Sequence, residues 1–208
     1  MKKVLLTSAL CMGVMTSANA IGITPYVSAK LNLGQTKAHM EVSGAETLKS
    51  KSSLLTGGAF AVGASFDIND MFAVRAEGEF AFNYAKFKDA PGEGPVDISM
   101  LNPAFGVNLY FDWRATDRLV PYIGAGLGYG LAGLKYADFD DSYEWKAWND
   151  KRYGGLNYNF TIGAAYAVTD RLSADLGLRY TEQIMLDDGP WKTSFNAYSV
   201  LLGARYMF

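Results

Sequence analysis

Cysteine is all but missing. The chain has 208 residues and one cysteine, Cys11. That residue lies in a segment that reads as a cleaved leader, so neither disulfides nor thiol chemistry is open to the rest. Excess positive charge is missing too. There are 19 basic and 21 acidic residues, for a formal net charge of -2, and nothing in that balance points to nucleic acid. Long hydrophobic runs are absent: after the N-terminus no stretch approaches the roughly 20 apolar residues of a membrane-spanning helix. A mean hydropathy of +0.01 is likewise too polar for a helical membrane protein. What is plentiful is aromatic residues, at 14%, and glycine, at 22 residues. That mixture suits a strand-rich chain with a polar inside and an apolar outside.

Met1 to Ala20 has the parts of a secretory signal peptide: Lys2 and Lys3, an apolar core from Val4 to Val14, and Ala18-Asn19-Ala20 as cleavage site. Leu10 before Cys11 and the shortness of the core argue against a lipoprotein site. The domain expected to fold is then 21–208, cysteine-free. Its charge is 17 basic (19 minus Lys2 and Lys3) less 21 acidic, or -4.

Side chains in 21–208 alternate with a period of two, the mark of strands. The last stretch shows it well. Tyr198, Val200, Leu202, Ala204, Tyr206 and Phe208 form an apolar face with aromatics at both ends, while Ser199, Gly203 and Arg205 lie opposite. In Met71 to Ala85, Phe72, Val74, Phe80, Phe82 and Tyr84 oppose Arg75, Glu77, Glu79 and Asn83. The same two faces recur over Ile23–Gln35, Leu54–Asp67, Ser99–Trp113, Leu119–Tyr136, Gly154–Val168 and Leu172–Leu186. That makes eight strands. Pro103 cannot donate to a ladder, so a bulge is expected there. Gly124, Gly126, Gly128 and Gly130 alternate on one face, which excludes a phosphate loop and leaves room for bulky charged side chains from other strands. Thr116-Asp117-Arg118-Leu119 and Thr169-Asp170-Arg171-Leu172 are matching turns.

Connections alternate short and long. A strand in lipid needs both neighbours, so the pattern describes a closed barrel. The fold class expected is all-β: an eight-stranded antiparallel up-and-down transmembrane β-barrel. A soluble lipocalin-like barrel is the structural rival. It would put its large apolar face inside, whereas here the small, charged face suits the narrow interior.

Pro121-Tyr122-Ile123-Gly124-Ala125-Gly126-Leu127-Gly128, the Thr-Asp-Arg-Leu turns, Leu172 to Tyr180 and the ending Tyr206-Met207-Phe208 together resemble the opacity-type outer-membrane proteins. More loosely they resemble the transmembrane domains of OmpA and OmpX. The resemblance implies short periplasmic turns, surface-exposed long loops, a Gram-negative source and delivery to the bacterial outer membrane. It also implies that Leu202, Tyr206 and Phe208 belong to a terminal signal read by the barrel-assembly machinery.

The inward charges are Lys30, Arg75, Arg179 and Arg205 against Asp67, Glu77, Glu79, Asp112 and Asp175. Isolated ions in such an interior are costly, so they are expected to pair and plug the barrel. The alternative is an ion path lined by the same groups. His39 with Glu41 and Ser43 holds the residue types of a hydrolytic site, but on a loop and without an orienting pattern. Catalytic residues are therefore expected to be none. A third long loop, Asp138 to Arg152, carries Phe139, Tyr143, Trp145 and Trp148, and a fourth carries Trp191. These are the candidate surface recognition residues, since Trp and Tyr dominate binding hot spots. The carboxylates among them lack the spacing of a calcium loop, so no metal or cofactor is expected. The function expected is structural or adhesin-like. A narrow porin is the alternative and a lipid-A-modifying enzyme comes third. The partners expected are outer-membrane lipid, the assembly machinery and a ligand on a host or neighbouring cell, with the protein itself a monomer.

Overall fold

The computed structural model describes residues 22–42, 52–90, 96–137, 144–146, 154–185 and 191–208. The leader Met1–Ala20 and the loop residues Phe139, Tyr143 and Trp148 lie outside them. The strands are β1 (Ile23–Val42), β2 (Ser52–Asp67), β3 (Phe72–Ala90), β4 (Val96–Trp113), β5 (Leu119–Leu131), β6 (Gly133–Ala137), β7 (Glu144–Lys146), β8 (Gly154–Ala167), β9 (Leu172–Met185) and β10 (Trp191–Met207). Every pairing is antiparallel. β1, β2, β3, β4, β5, β8, β9 and β10 close into a ring through β1–β10 and β3–β4 contacts. The wall therefore has eight members. β6 resumes the line of β5 after Ala132, and β7 pairs with β6 outside the ring.

Register fixes the geometry. From Tyr26 the partners run Gly63, Glu77, Asn108, Gly126, Asn159, Thr181, Ala197 and back to β1 at Thr36, ten residues farther along (36 − 26 = 10). A stagger of ten over eight strands tilts them by about 40°, given a rise of about 3.3 Å per residue and a spacing of about 4.8 Å.

Three short turns tie one end, and each is built on one side chain. Asn69 Oδ1 accepts from the Met71 and Phe72 N–H groups, both at 2.9 Å. Thr116 Oγ1 accepts from Arg118 (3.3 Å) and Leu119 (2.9 Å), and Thr169 Oγ1 from Arg171 (3.3 Å) and Leu172 (3.0 Å). Neighbouring turns are then stitched together: Arg114 N–H donates to Met71 O, Ala167 N–H to Arg118 O and Met207 N–H to Arg171 O, each at 2.8 Å.

The outer face is apolar. Leu31, Phe60, Val62, Phe105, Val107, Leu127, Phe160, Ile162, Leu178 and Tyr198 are all exposed. On β9, Leu172, Ala174, Leu176, Leu178 and Tyr180 lie between Arg171 and Glu182. Eleven steps along a tilted strand separate those two charges by about 28 Å, close to the ~25 Å apolar band of a membrane barrel. No soluble monomer presents an apolar belt of that extent to water.

Several boundaries differ from the sequence reading. β1 runs on to Val42, so His39 and Glu41 stand on a strand rather than in a loop. β3 extends to Ala90, and the expected fifth strand breaks at Ala132. Pro103 makes no bulge: it pairs in register with Phe82, and the register shift between β3 and β4 falls between Phe87 and Ala90. On β4's other side the ladder skips Asn102 and Pro103 and resumes in the same register. Losing one N–H costs a rung here without displacing the strand.

Candidate functional site

The alternation that puts Leu and Phe outside sends Lys30, Arg75, Glu77, Glu79, Asp112, Asp175, Arg179 and Arg205 inside, where they form two groups. In the first, Lys30 pairs with Glu77 and, at 2.7 Å, with Glu79. Arg179 grips Glu79 with both terminal nitrogens, at 2.6 and 3.2 Å. Glu77, its side chain fully buried, also accepts from Tyr26 Oη (3.1 Å), Tyr110 Oη (3.0 Å) and Asn108 Nδ2 (3.4 Å). Arg179 Nε donates to Thr161 Oγ1 at 3.1 Å. In the second group, nearer the turns, Arg75 Nε donates to Asp112 at 2.6 Å and Arg205 Nη2 to Asp175 at 2.5 Å. Arg75 also lies over the rings of Tyr110 (4.6 Å), Tyr122 (5.0 Å) and Tyr26 (5.9 Å). Such stacking holds a guanidinium that one carboxylate alone would leave under-coordinated.

Asp67 departs from the expected set. It sits at the turn end of β2, exposed, and pairs with the equally exposed Arg114. The alternation pointed it inward, but the strand ends there and its side chain reaches water. Without it, Lys30, Arg75, Arg179 and Arg205 face Glu77, Glu79, Asp112 and Asp175, and the interior charge balances. Arg75 pairs with Asp112, and the cation of Glu77 is Lys30.

Above the charges comes a layer of amides. Asn32 donates to Asn83 (3.1 Å), Asn102 to Gln183 (2.6 Å) and Asn159 to Asn108 (2.9 Å). They surround a chamber of about 70 Å³, polar and large enough for water. The glycine row of β5 makes room for neutral groups, not the charged ones expected. A Cβ at Gly124 would overlap the Tyr110 ring, and one at Gly126 the Asn108 amide. Higher still, Leu55, Ala85, Met100, Ala132, Met185 and Phe195 close the chamber with an apolar layer. Sequence reasoning missed this layer, because it assembles one residue from each of six places in the chain.

Of the surface candidates, Trp145 is on β7 and Trp191 opens β10, paired with Val42. The terminal set is described throughout: Leu202, Tyr206 and Phe208 point outward, with Tyr206 and Phe208 edge-to-face at 5.4 Å. Among the described residues no cluster of His, Cys, Asp and Glu could hold a metal ion.

Comparison with known proteins agrees with this architecture. Outer membrane protein PagN of Salmonella typhimurium (strain LT2) is 27% identical over 150 residues, which take in 67% of this chain and 62% of PagN's length. Neisserial surface protein A superposes with a TM-score of 0.51 at 22% identity, covering 90% of this chain and 99% of that one. The outer membrane protease OmpT of Escherichia coli superposes with a TM-score of 0.50 at 8% identity, over 89% and 96%. A surface protein and a protease sharing this shape show that the fold does not decide the function. The family model for the outer membrane protein beta-barrel domain matches residues 4–208. This chain belongs to that family of outer-membrane β-barrel proteins.

Proposed function

We propose that the protein is a surface-interaction scaffold: a plugged barrel that holds binding loops above the outer membrane. One observation carries the reading, the closure of the interior. Balanced ion pairs fill the lower half, amides enclose only about 70 Å³, and an apolar layer covers the outer mouth. A conducting path needs a continuous polar lumen, and an eight-stranded interior is filled by side chains. The walls also outgrow the belt. β1 and β10 remain paired up to Val42 and Trp191, beyond the last β1–β2 pair at Lys37 and Ser52. β3 and β4 remain paired up to Ala90 and Val96. β6 likewise stays paired with β4 up to Ala137 and Asp97, and the chain between β6 and β8 holds Phe139, Tyr143, Trp145 and Trp148. The partner in this reading is a ligand on a host or neighbouring cell surface, met through those aromatics.

The test has two arms on the same folded preparation. In a planar bilayer the protein stays silent, and proteoliposomes carrying it bind host-type cells. Replacing Tyr143, Trp145 and Trp148 together by Ala removes that binding without changing the thermal midpoint. Steady unitary currents overturn the plugged scaffold, and binding that survives the triple replacement overturns the aromatic loop as its seat.

A further inference from the structure

We propose that the amide chamber is a water-binding site filled from the side, through the barrel wall between β4 and β5 at Pro103, and not along the barrel axis. The need for a donor inside it comes from how the amides are fixed. Gln183 Nε2 donates to Gly130 O at 3.3 Å. A carbonyl only accepts, so this bond sets the orientation of the Gln183 amide, and Gln183 Oε1 accepts from Asn102 Nδ2 at 2.6 Å. Asn102 Oδ1 is left over. Glu77 fixes a second pair likewise: its carboxylate accepts from Asn108 Nδ2 at 3.4 Å, so Asn108 Oδ1 accepts from Asn159 Nδ2 at 2.9 Å. Asn159 Oδ1 is left over. Asn32, whose Nδ2 donates to Asn83 at 3.1 Å, leaves a third oxygen. Among the described residues none of these three buried oxygens receives a hydrogen bond, and all three side chains line the chamber. Buried acceptors without donors are costly. An anion does not suit three acceptors, and a cation would sit beside Arg179, which also lines the chamber. Water is the donor that fits a space of about 70 Å³.

Neither end of the barrel offers a way in, since the apolar layer closes the top and the ion pairs close the bottom. The side does. The ladder of β4 passes from Ala104↔Gly130 on β5 to Leu101↔Gly133 on β6, and among the described residues Asn102 and Pro103 have no pairing there. Across the gap, Ala132 belongs to neither β5 nor β6, and the β5–β8 ladder ends at Leu131↔Gly154. What spans the gap on the inside is a latch of side chains, from Asn102 of β4 through Gln183 to the Gly130 carbonyl of β5. A Cβ on Gly130 would lie 2.6 Å from Gln183 Oε1 and 2.9 Å from Asn102 Oδ1, so both amides press against that stretch of wall. The height is right for water. Gln183 follows Glu182, which ends the apolar belt on β9, and the exposed Tyr129 precedes Gly130. The gap therefore stands at the upper margin of the belt, where aromatic side chains meet the wet interface. Water arriving there replaces the two latch bonds with its own, so opening leaves no polar group bare.

The experiment is NMR of the folded protein in nanodiscs, reading magnetisation transfer from water to the side-chain NH₂ groups of Asn32, Asn102 and Asn159, and the rate at which they take up deuterium. In the wild type all three show water contact. Pro103→Val and Pro103→Ala restore an N–H to the wall and slow uptake at Asn159, by about tenfold if the new N–H adds one hydrogen bond to the closed form. Gln183→Leu removes the latch and speeds uptake. Phe195→Leu thins the apolar layer and leaves the rate unchanged. Absence of water contact at all three amides overturns the site. A wild-type rate in both Pro103 variants, or faster uptake in Phe195→Leu, overturns the lateral route. Should Gln183→Leu fail to fold, the Pro103 variants decide alone, because they add a donor and remove none.

Discussion

Glu77 shows what burial does to a single side chain. It takes hydrogen bonds or ion contacts from Lys30, Tyr26, Tyr110 and Asn108 at once. Glu77→Ala leaves four donors facing a void and shifts net interior charge to +1. Lys30 keeps Glu79, which already holds Arg179, so that one carboxylate is left to balance both cations. The urea midpoint is expected to fall, by about 3 kcal/mol in unfolding free energy, the range for breaking a buried pair. Glu77→Gln, which keeps the shape and one acceptor, should lose less. An Ala variant as stable as the wild type would show that the ion pairs contribute nothing net. The charges at this site were legible in the sequence, since they fall on the inward side of a strict alternation. Their partners were not: Lys30 and Glu77 sit on strands separated by β2, and only the register brings them level. Asp67 shows the same limit from the other side, because alternation gives a direction but not where a strand meets water.

Among the elements, the turns were the most legible and the raised strand ends the least. Thr116 and Thr169 occupy equivalent places, and Asn69 does the same work in the third turn with an amide oxygen. Thr169→Ala should destabilise the barrel by about 1 kcal/mol through two orphaned N–H groups, and Thr169→Ser should restore most of it. Chemical denaturation of both variants decides this; no difference between them would mean that the hydroxyl is idle. β1 beyond Gln35 was hidden because the lipid boundary ends there. Above the belt the apolar set changes parity: Ala38, Met40 and Val42 alternate with Lys37, His39 and Glu41, so Thr36 to Val42 breaks the pattern of Val27, Leu31 and Leu33 although its backbone stays paired with β10. β3 beyond Ala85 was hidden likewise. The break at Ala132 was invisible for the opposite reason. Leu131 and Gly133 continue the alternation, and only the buried Ala132, itself part of the apolar layer, marks the interruption.

For the whole molecule, the fold class was legible and the vertical arrangement of the interior was not. Charges, amides and apolar residues are scattered over the inward sets, β3 alone carrying Arg75, Glu77, Asn83 and Ala85. Sorting them into charge below, amide between and apolar layer above needs the ten-residue stagger, which no strand reveals alone. That layering predicts an exchange pattern. Amides of the ring below Lys37 and Glu182 should exchange with deuterium only on global opening. Those of β1 beyond Lys37 and of β6 and β7, which stand clear of the belt, should exchange through local fraying. Hydrogen exchange of the protein in nanodiscs checks this, and uniform protection from Ile23 to Val42 would contradict it.

The ring closes where β1 meets β10, and Tyr26 pairs there with Met207, 181 residues away (207 − 26 = 181). Each other wall contact joins strands that follow one another along the chain, so seven hairpins can zip from local contacts while this seam waits for almost the entire polypeptide. Loop-closure entropy falls most heavily on that one pairing. Until it forms, the sheet has two bare edges, one on β1 and one on β10, each able to recruit a stranger's strand. Closure is therefore the late, slow event of folding. A catalyst of the process has most to gain by holding the β10 edge, the one that ends in Tyr206 and Phe208.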